Sequence, residues 1–134
     1  MYLDTDVILA LIKPEDWLKA YVEIGLEEIK EEKVTSLITV IECEIVLMRE
    51  YSRELAISAF EEIKKKGIKL LPISVDAIEE STKLQKKYPK LNIFDSVHLA
   101  NAISRREEIL STDSLFDEIE GVKRIDPRTG HNLN

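Results

Sequence analysis

Cysteine is almost absent from this chain: Cys43 is the only one in 134 residues. No intrachain disulfide can form, which excludes a small secreted disulfide scaffold and suits a reducing cytoplasm. Cys43 sits in the apolar stretch Val40-Ile41-Glu42-Cys43-Glu44-Ile45-Val46 and reads as a small hydrophobe, not a nucleophile. Long hydrophobic runs are lacking too. The best uninterrupted one covers residues 7–12, far short of the roughly 18 needed to span a bilayer. Asp4 and Asp6 make the first residues a poor signal peptide. Cations are in deficit, with 19 Lys and Arg against 26 Asp and Glu and a net charge of −7. That balance argues against a protein that coats nucleic acid through its charge alone. It leaves open an enzyme that meets nucleic acid through metal ions and a local basic patch. No repeat, linker or low-complexity segment divides the chain.

What is present is globular. Hydrophobic residues make up 44%, enough for a buried core, and the length fits one domain over residues 1–134. Charged residues reach 34%, with Glu and Lys in excess as in proteins of hot-living organisms. Short apolar stretches at 1–3, 34–38, 68–73, 109–111 and 122–125 read as strands. Between them lie helical patterns from Val7, over 15–31, from Thr39, over 52–66, 75–87 and 93–105, and a short one at 115–119. Asp6 or Thr5 is the expected cap of the first helix. On the 75–87 helix the expected inner face is Ala77, Ile78, Thr82, Leu84 and Gln85. Strands that alternate with helices and are apolar without a two-residue period indicate an α/β fold: a mostly parallel sheet of about five strands, covered on both faces. Residues 126–134 are polar and read as a loose tail.

In such a sheet, ligands bind outside the carboxyl ends of the strands. Asp4 directly follows the first strand, Glu42 lies in the turn after the second, Asp95 opens the 93–105 helix, and Asp113 follows the fourth strand. Asp117 comes four residues later. Taken singly, each acid fits a helix cap. Thr39 to Glu42 has capping-box spacing, and Asn92 to Asp95 and Ser114 to Asp117 resemble it with Asp in place of Glu. Together they pose a charge problem. Two carboxylates about 4 Å apart repel by roughly 4 kcal/mol at an effective dielectric near 20. No Lys or Arg lies within four residues of Asp4, Asp95 or Asp113. A hard, oxygen-seeking cation such as Mg²⁺ or Mn²⁺ would relieve that repulsion.

Four segments resemble one family in order. Leu3-Asp4-Thr5-Asp6-Val7-Ile8-Leu9 is similar to the opening Asp-Thr-Asn/Ser motif of PIN domains. Ser36-Leu37-Ile38-Thr39-Val40-Ile41-Glu42 matches Ser-x-x-Thr-x-x-Glu, and Asp95-Ser96-Val97-His98-Leu99-Ala100-Asn101-Ala102 matches Asp-x-x-x-Leu-Ala-x-Ala. Leu110-Ser111-Thr112-Asp113-Ser114-Leu115-Phe116 matches Thr/Ser-x-Asp-x-x-Phe. The resemblance implies a three-layer α/β/α sandwich and a Mg²⁺- or Mn²⁺-dependent ribonuclease, closest in look to VapC-type toxins of toxin–antitoxin pairs. It carries the family acids onto Asp4, Glu42, Asp95 and Asp113. It also implies an RNA substrate, a cognate antitoxin protein and a homodimer, with no membrane association. Asp6 departs from the usual Asn or Ser, and Ser111 replaces the commoner Thr while keeping the hydroxyl. Thr5, Asp6, Ser111 and Asp117 are the expected supporting residues.

The chemistry matches the charges: carboxylates cannot stabilise an anionic phosphodiester directly, but divalent cations held by them can. Asp4 and Asp95 are expected as direct ligands, with Asp113 and Glu42 binding a second ion or orienting water. His98 is expected as a packed helix histidine with one hydrogen bond. Trp17 and Tyr21 are expected in the core or at a subunit interface. The helices around Ile41 to Met48 and Phe94 to Ile103 are the expected dimer surface. Two other readings compete. One is a catalytically silent interaction module of the same fold, its acids persisting as caps. The other is a receiver-type phosphoacceptor, disfavoured because no Lys-Pro follows a late strand.

Overall fold

The computed structural model describes residues 1–129. Its strands are β1 (Tyr2–Leu3), β2 (Val34–Ser36), β3 (Lys69–Leu71), β4 (Ile109–Leu110) and β5 (Arg124–Ile125). Its helices are α1 (Thr5–Ile12), α2 (Lys19–Glu28), α3 (Leu37–Glu50), α4 (Arg53–Lys65), α5 (Val75–Lys87) and α6 (Ile93–Ser104). A 3₁₀ turn over Ser114–Glu118 separates β4 from β5. The strands form one sheet in the order β3-β2-β1-β4-β5, every pairing parallel. In the central register Tyr2 stands opposite both Val34 and Ile109.

Successive strand residues face opposite sides of a sheet, and here that alternation divides the core. Leu3 and Leu110 join Val7, Ile8, Val22, Val40, Cys43, Leu47 and Ile63 beneath α1 to α4. Tyr2, Val34 and Ile109 join Leu99, Ala102 and Phe116 on the other side, where α6 packs. The result is the expected α/β/α sandwich, with Cys43 in its interior.

Local chemistry moved several boundaries. α1 begins at Thr5, two residues before Val7, because Asp4 is its N-cap and accepts a hydrogen bond from the Thr5 amide at 2.7 Å. α2 starts only at Lys19, since Asp16 Oδ1 accepts from the Leu18 amide at 2.8 Å in a turn that competes with a helix. β2 stops at Ser36 and α3 takes over at Leu37. Thr39 therefore lies inside α3, where its hydroxyl meets that of Thr35 at 2.6 Å, and no capping box with Glu42 forms. On α5 the buried residues are Ala77 and Ser81, whereas Ile78 and Thr82 are exposed; spacing of four from Ala77 selects the inward stripe.

Two surface expectations also change. Trp17 is 66% exposed and Tyr21 is exposed as well, so neither belongs to the core. Every α6 residue from Ser96 to Ala102 is buried, which leaves Ile41, Ile45 and Met48 of α3 as the exposed apolar side chains of the two helices' expected dimer surface. Of the expected loose tail, residues 126–129 form a turn in which the Thr129 amide donates to the Asp126 carbonyl at 3.1 Å. Arg124 and Arg128 both pair with the Asp126 carboxylate. Residues 130–134 of that tail lie outside the described residues.

Gly67 ends α4 with φ +72° and has open space where a Cβ would stand. Gly67→Ala should therefore destabilise the fold by about 1 kcal/mol through backbone conformation alone. Gly67→Asn should cost less, because Asn tolerates the left-handed region. Urea unfolding of the three proteins checks the order.

Candidate active site

The chain runs outward from β1 through β2 to β3, then returns to place β4 on the other side of β1. The carboxyl ends of β1 and β4 therefore flank the topological switch point, where a crevice opens in sheets of this kind. Asp4 stands at the end of β1, and its amide donates to the Leu110 carbonyl of β4 at 3.0 Å. Ser111 stands at the end of β4 and donates its hydroxyl to Asp4 Oδ2 at 2.6 Å. Both residues are buried.

Burial raises the Asp4 carboxyl to about 7; His98 opposes the rise, Asp6 adds to it, and the bonds from Ser111 and Thr5 offset part of it. Asp95, half-buried in the first turn of α6, is raised to about 6, first by burial and then by the charge of Asp113. Glu42 and Asp6 also push Asp95 upward, so these acids share one electrostatic neighbourhood. Asp113 donates its amide to the Ser111 hydroxyl at 3.0 Å, while its Oδ1 caps the 3₁₀ turn through the Leu115 amide at 3.0 Å.

Glu42 reaches the same place from α3. Its Oε1 accepts from the Thr5 hydroxyl at 2.7 Å and meets His98 Nε2 at 2.6 Å. His98 Nε2 is also 3.6 Å from Asp4 Oδ1. Burial disfavours a charged imidazole, but the surrounding groups, Glu42 and Asp4 among them, hold His98 well above its usual range.

The supporting residues divide. Thr5 and Ser111 touch the acids as expected. Asp6 is fully engaged: Oδ1 accepts from the Val7 amide at 2.7 Å, and Oδ2 accepts from the Thr112 amide at 2.8 Å and from the Thr112 hydroxyl. It fastens the β1–α1 turn to the loop after β4. Asp117 points elsewhere, in a two-pronged ion pair with Arg124 at 2.8 and 2.9 Å on the exposed surface.

Two participants, Tyr2 and Thr112, were not singled out by sequence, and a third, His98, was expected only to pack. His98 was expected to make one hydrogen bond, yet both its ring nitrogens are engaged, Nδ1 with the Tyr2 hydroxyl at 2.7 Å. Its position three residues after Asp95 put it on the same side of α6, which was the available signal.

Among the described residues, no three Asp, Glu, His or Cys side chains converge tightly enough to hold an ion unaided. The donor chemistry nonetheless fits a hard cation that keeps part of its water shell, as Mg²⁺ does when bound by one or two carboxylates. The donors are carboxylate oxygens. Asp6, Asp95 and Asp113 have no salt bridge among the described residues, and the cationic neighbour of Asp4 and Glu42 is His98. Asp4 and Asp95 would hold the ion, with Asp113 and Glu42 beside them.

A family model of the PIN domain matches residues 1–122. The chain belongs to the PIN domain family. That membership sets the receiver-type reading aside. Among solved structures, this PIN domain is similar to a toxin–antitoxin complex from Klebsiella pneumoniae, at 24% identity and a TM-score of 0.70 over 94% of this chain and 96% of that one. It is similar to VapC20 of Mycobacterium tuberculosis, described as a sarcin–ricin-loop-cleaving toxin, at 14% identity and TM-score 0.80 over 91% and 96%. FitAcB of Neisseria gonorrhoeae matches at 18% identity and TM-score 0.72 over 96% and 98%. No curated protein matches the chain by sequence.

A carboxyl whose pKa is raised by folding favours the folded state while protonated, and that contribution is lost as pH rises toward the folded value. For Asp4 and Asp95 the window runs from the ordinary 3.8 to about 7 and about 6. In EDTA, this PIN domain should lose thermal stability as pH climbs through that window. Asp4→Asn should flatten the decline. Thermal melts of both proteins between pH 4.5 and 8 read it out, and parallel curves would count against the burial argument.

Proposed function

We propose that this PIN domain is a divalent-metal-dependent endoribonuclease and acts as the toxin of a toxin–antitoxin pair in the cytoplasm. The observation that carries the reading is the buried Asp4 carboxylate, raised to about 7 at the switch point of the sheet, with Glu42, Asp95 and Asp113 around it. A helix cap alone needs no such gathering. The toxin descriptions of the solved relatives support the biological half of the proposal.

Bound Mg²⁺ or Mn²⁺ would supply positive charge to an anionic phosphodiester and lower the pKa of water. The chain's own residues do the rest. Asp4 is oriented by the Thr5 amide and the Ser111 hydroxyl, each holding one carboxylate oxygen. Asp95 projects from the first turn of α6 toward the shared charge. Asp113 and Glu42 stand ready to hold a second ion or to orient water. The Asp6–Thr112 bonds keep the β1 and β4 ends together while RNA binds.

Asp4→Asn keeps the shape and one acceptor oxygen but removes the charge. It should leave the fold intact and its stability unchanged or higher, while cleavage of a mixed single-stranded RNA pool falls at least about a hundredfold, or roughly 2.7 kcal/mol of barrier. The comparison uses Mg²⁺ or Mn²⁺ with an EDTA control. Equal rates, or cleavage that survives EDTA, would sink the metal mechanism and favour the silent interaction module. Calorimetric Mn²⁺ titration of the parent and Asp95→Asn should show weaker binding in the variant.

The same proposal includes a homodimer, with Ile41, Ile45 and Met48 of α3 as its apolar contact. Ile45 is 51% exposed, so Ile45→Lys should spare the core and shift light scattering from a dimer toward the 15.4 kDa monomer. A parent that is monomeric at micromolar concentrations would refute this part.

A further inference from the structure

We propose that His98 is a positioning residue: its ring, fastened at Nδ1 by the Tyr2 hydroxyl, fixes Glu42 and Thr5 beside Asp4. The inference rests on the nuclease reading of this cleft and adds a residue to it.

Glu42 as a carboxylate can only accept hydrogen bonds, so Nε2 of His98 is assigned a hydrogen from its partner at 2.6 Å. The single hydroxyl hydrogen of Thr5 goes to the same Glu42 oxygen at 2.7 Å. Oε1 therefore takes two donors, one from α1 and one from α6. The Thr5 hydroxyl is itself 3.0 Å from His98 Nε2, which closes a triangle of side chains. A glutamate has three rotatable bonds, and a single hydrogen bond leaves its head group free to swing. Two donors on separate helices remove that freedom.

The imidazole is fixed in turn. Tyr2 is fully buried on β1, its hydroxyl 2.7 Å from Nδ1 and its ring edge-on to the imidazole at 5.7 Å between centroids. Both nitrogens of a buried imidazole need partners, and here those partners lie on opposite sides of the ring, Tyr2 at Nδ1 and Glu42 with Thr5 at Nε2. Tyr2 on β1, Thr5 on α1, Glu42 on α3 and His98 on α6 thus form one connected set, and the second face of the sheet is tied to the site through it. Groups that orient a metal-binding residue from behind typically change metal affinity by 10–100-fold when removed.

Tyr2→Phe tests this without touching a carboxylate. It keeps the buried ring and leaves Nδ1 without its partner. Mn²⁺ affinity is measured calorimetrically for the parent, Tyr2→Phe, Glu42→Gln and the double variant, with thermal melts to show that each is folded. Tyr2→Phe should weaken Mn²⁺ binding about tenfold and lower kcat for RNA more than it changes KM. In the Glu42→Gln background the same change should have little effect, because the group it acts through has lost its charge. His98→Gln, which keeps an N–H donor for Glu42, should bind Mn²⁺ more tightly than His98→Leu. Unchanged affinity in Tyr2→Phe, or equal losses in both backgrounds, overturns the positioning role while leaving the nuclease reading standing. A parent that neither binds Mn²⁺ nor cleaves RNA overturns both.

Discussion

The structure around the site depends on one costly placement, an ionisable carboxyl buried at the end of the central strand. An isolated charge in a dry interior is prohibitive, and even a paired one stays expensive. Asp4 receives two strong donors, the Thr5 amide and the Ser111 hydroxyl. These do not balance the loss of water, since its pKa still stands near 7. Asp4 sits at the carboxyl end of β1, still hydrogen-bonded to Leu110 of β4, at the switch point where sheets of this kind open to ligands.

The surroundings follow from that placement. Asp6 adds a second negative charge close by, and its oxygens are occupied by Val7 and Thr112, which turns a repulsive neighbour into a clamp between two loops. Basic side chains nearby are committed elsewhere: Arg124 to Asp117 and Asp126, Arg128 to Asp126. The cleft thus keeps its negative potential instead of being neutralised from within. The protein carries a net charge of −7, so on the proposed nuclease reading a bound divalent cation would bridge two like-charged partners.

His98 shows how a buried base can serve such a cluster without neutralising it. It bonds to Glu42 and approaches Asp4, and its charge offsets part of the rise at Asp95 without a salt bridge to Asp95 or Asp113 among the described residues. Its hold on Tyr2 joins the α6 side of the sheet to acids borne on the α3 side. Rigidity at the site is then shared by both helical layers.

Much of this was readable in the residues. Apolar strands alternating with amphipathic helices already required a covered parallel sheet, because short strands without a polar face must be buried on both sides. Acids after strands one, two and four, and in the turn that opens α6, could be placed near the carboxyl edge, and all four are found in one neighbourhood. Periodicity could not decide which polar residue caps α1, because Asp4, Thr5 and Asp6 are all good caps; the bond to Thr5 and the pull of Ser111 from a distant strand selected Asp4. It could not assign Asp117, whose capping spacing is overruled by Arg124 from β5. Nor could it see Tyr2 against His98, 96 residues apart in the chain. Local sequence determines which segments are helix or strand and which chemistry each one carries. Only the strand order, set by burial of two apolar faces at once, decides which carboxylates share a cleft and which partners across the sheet hold them still.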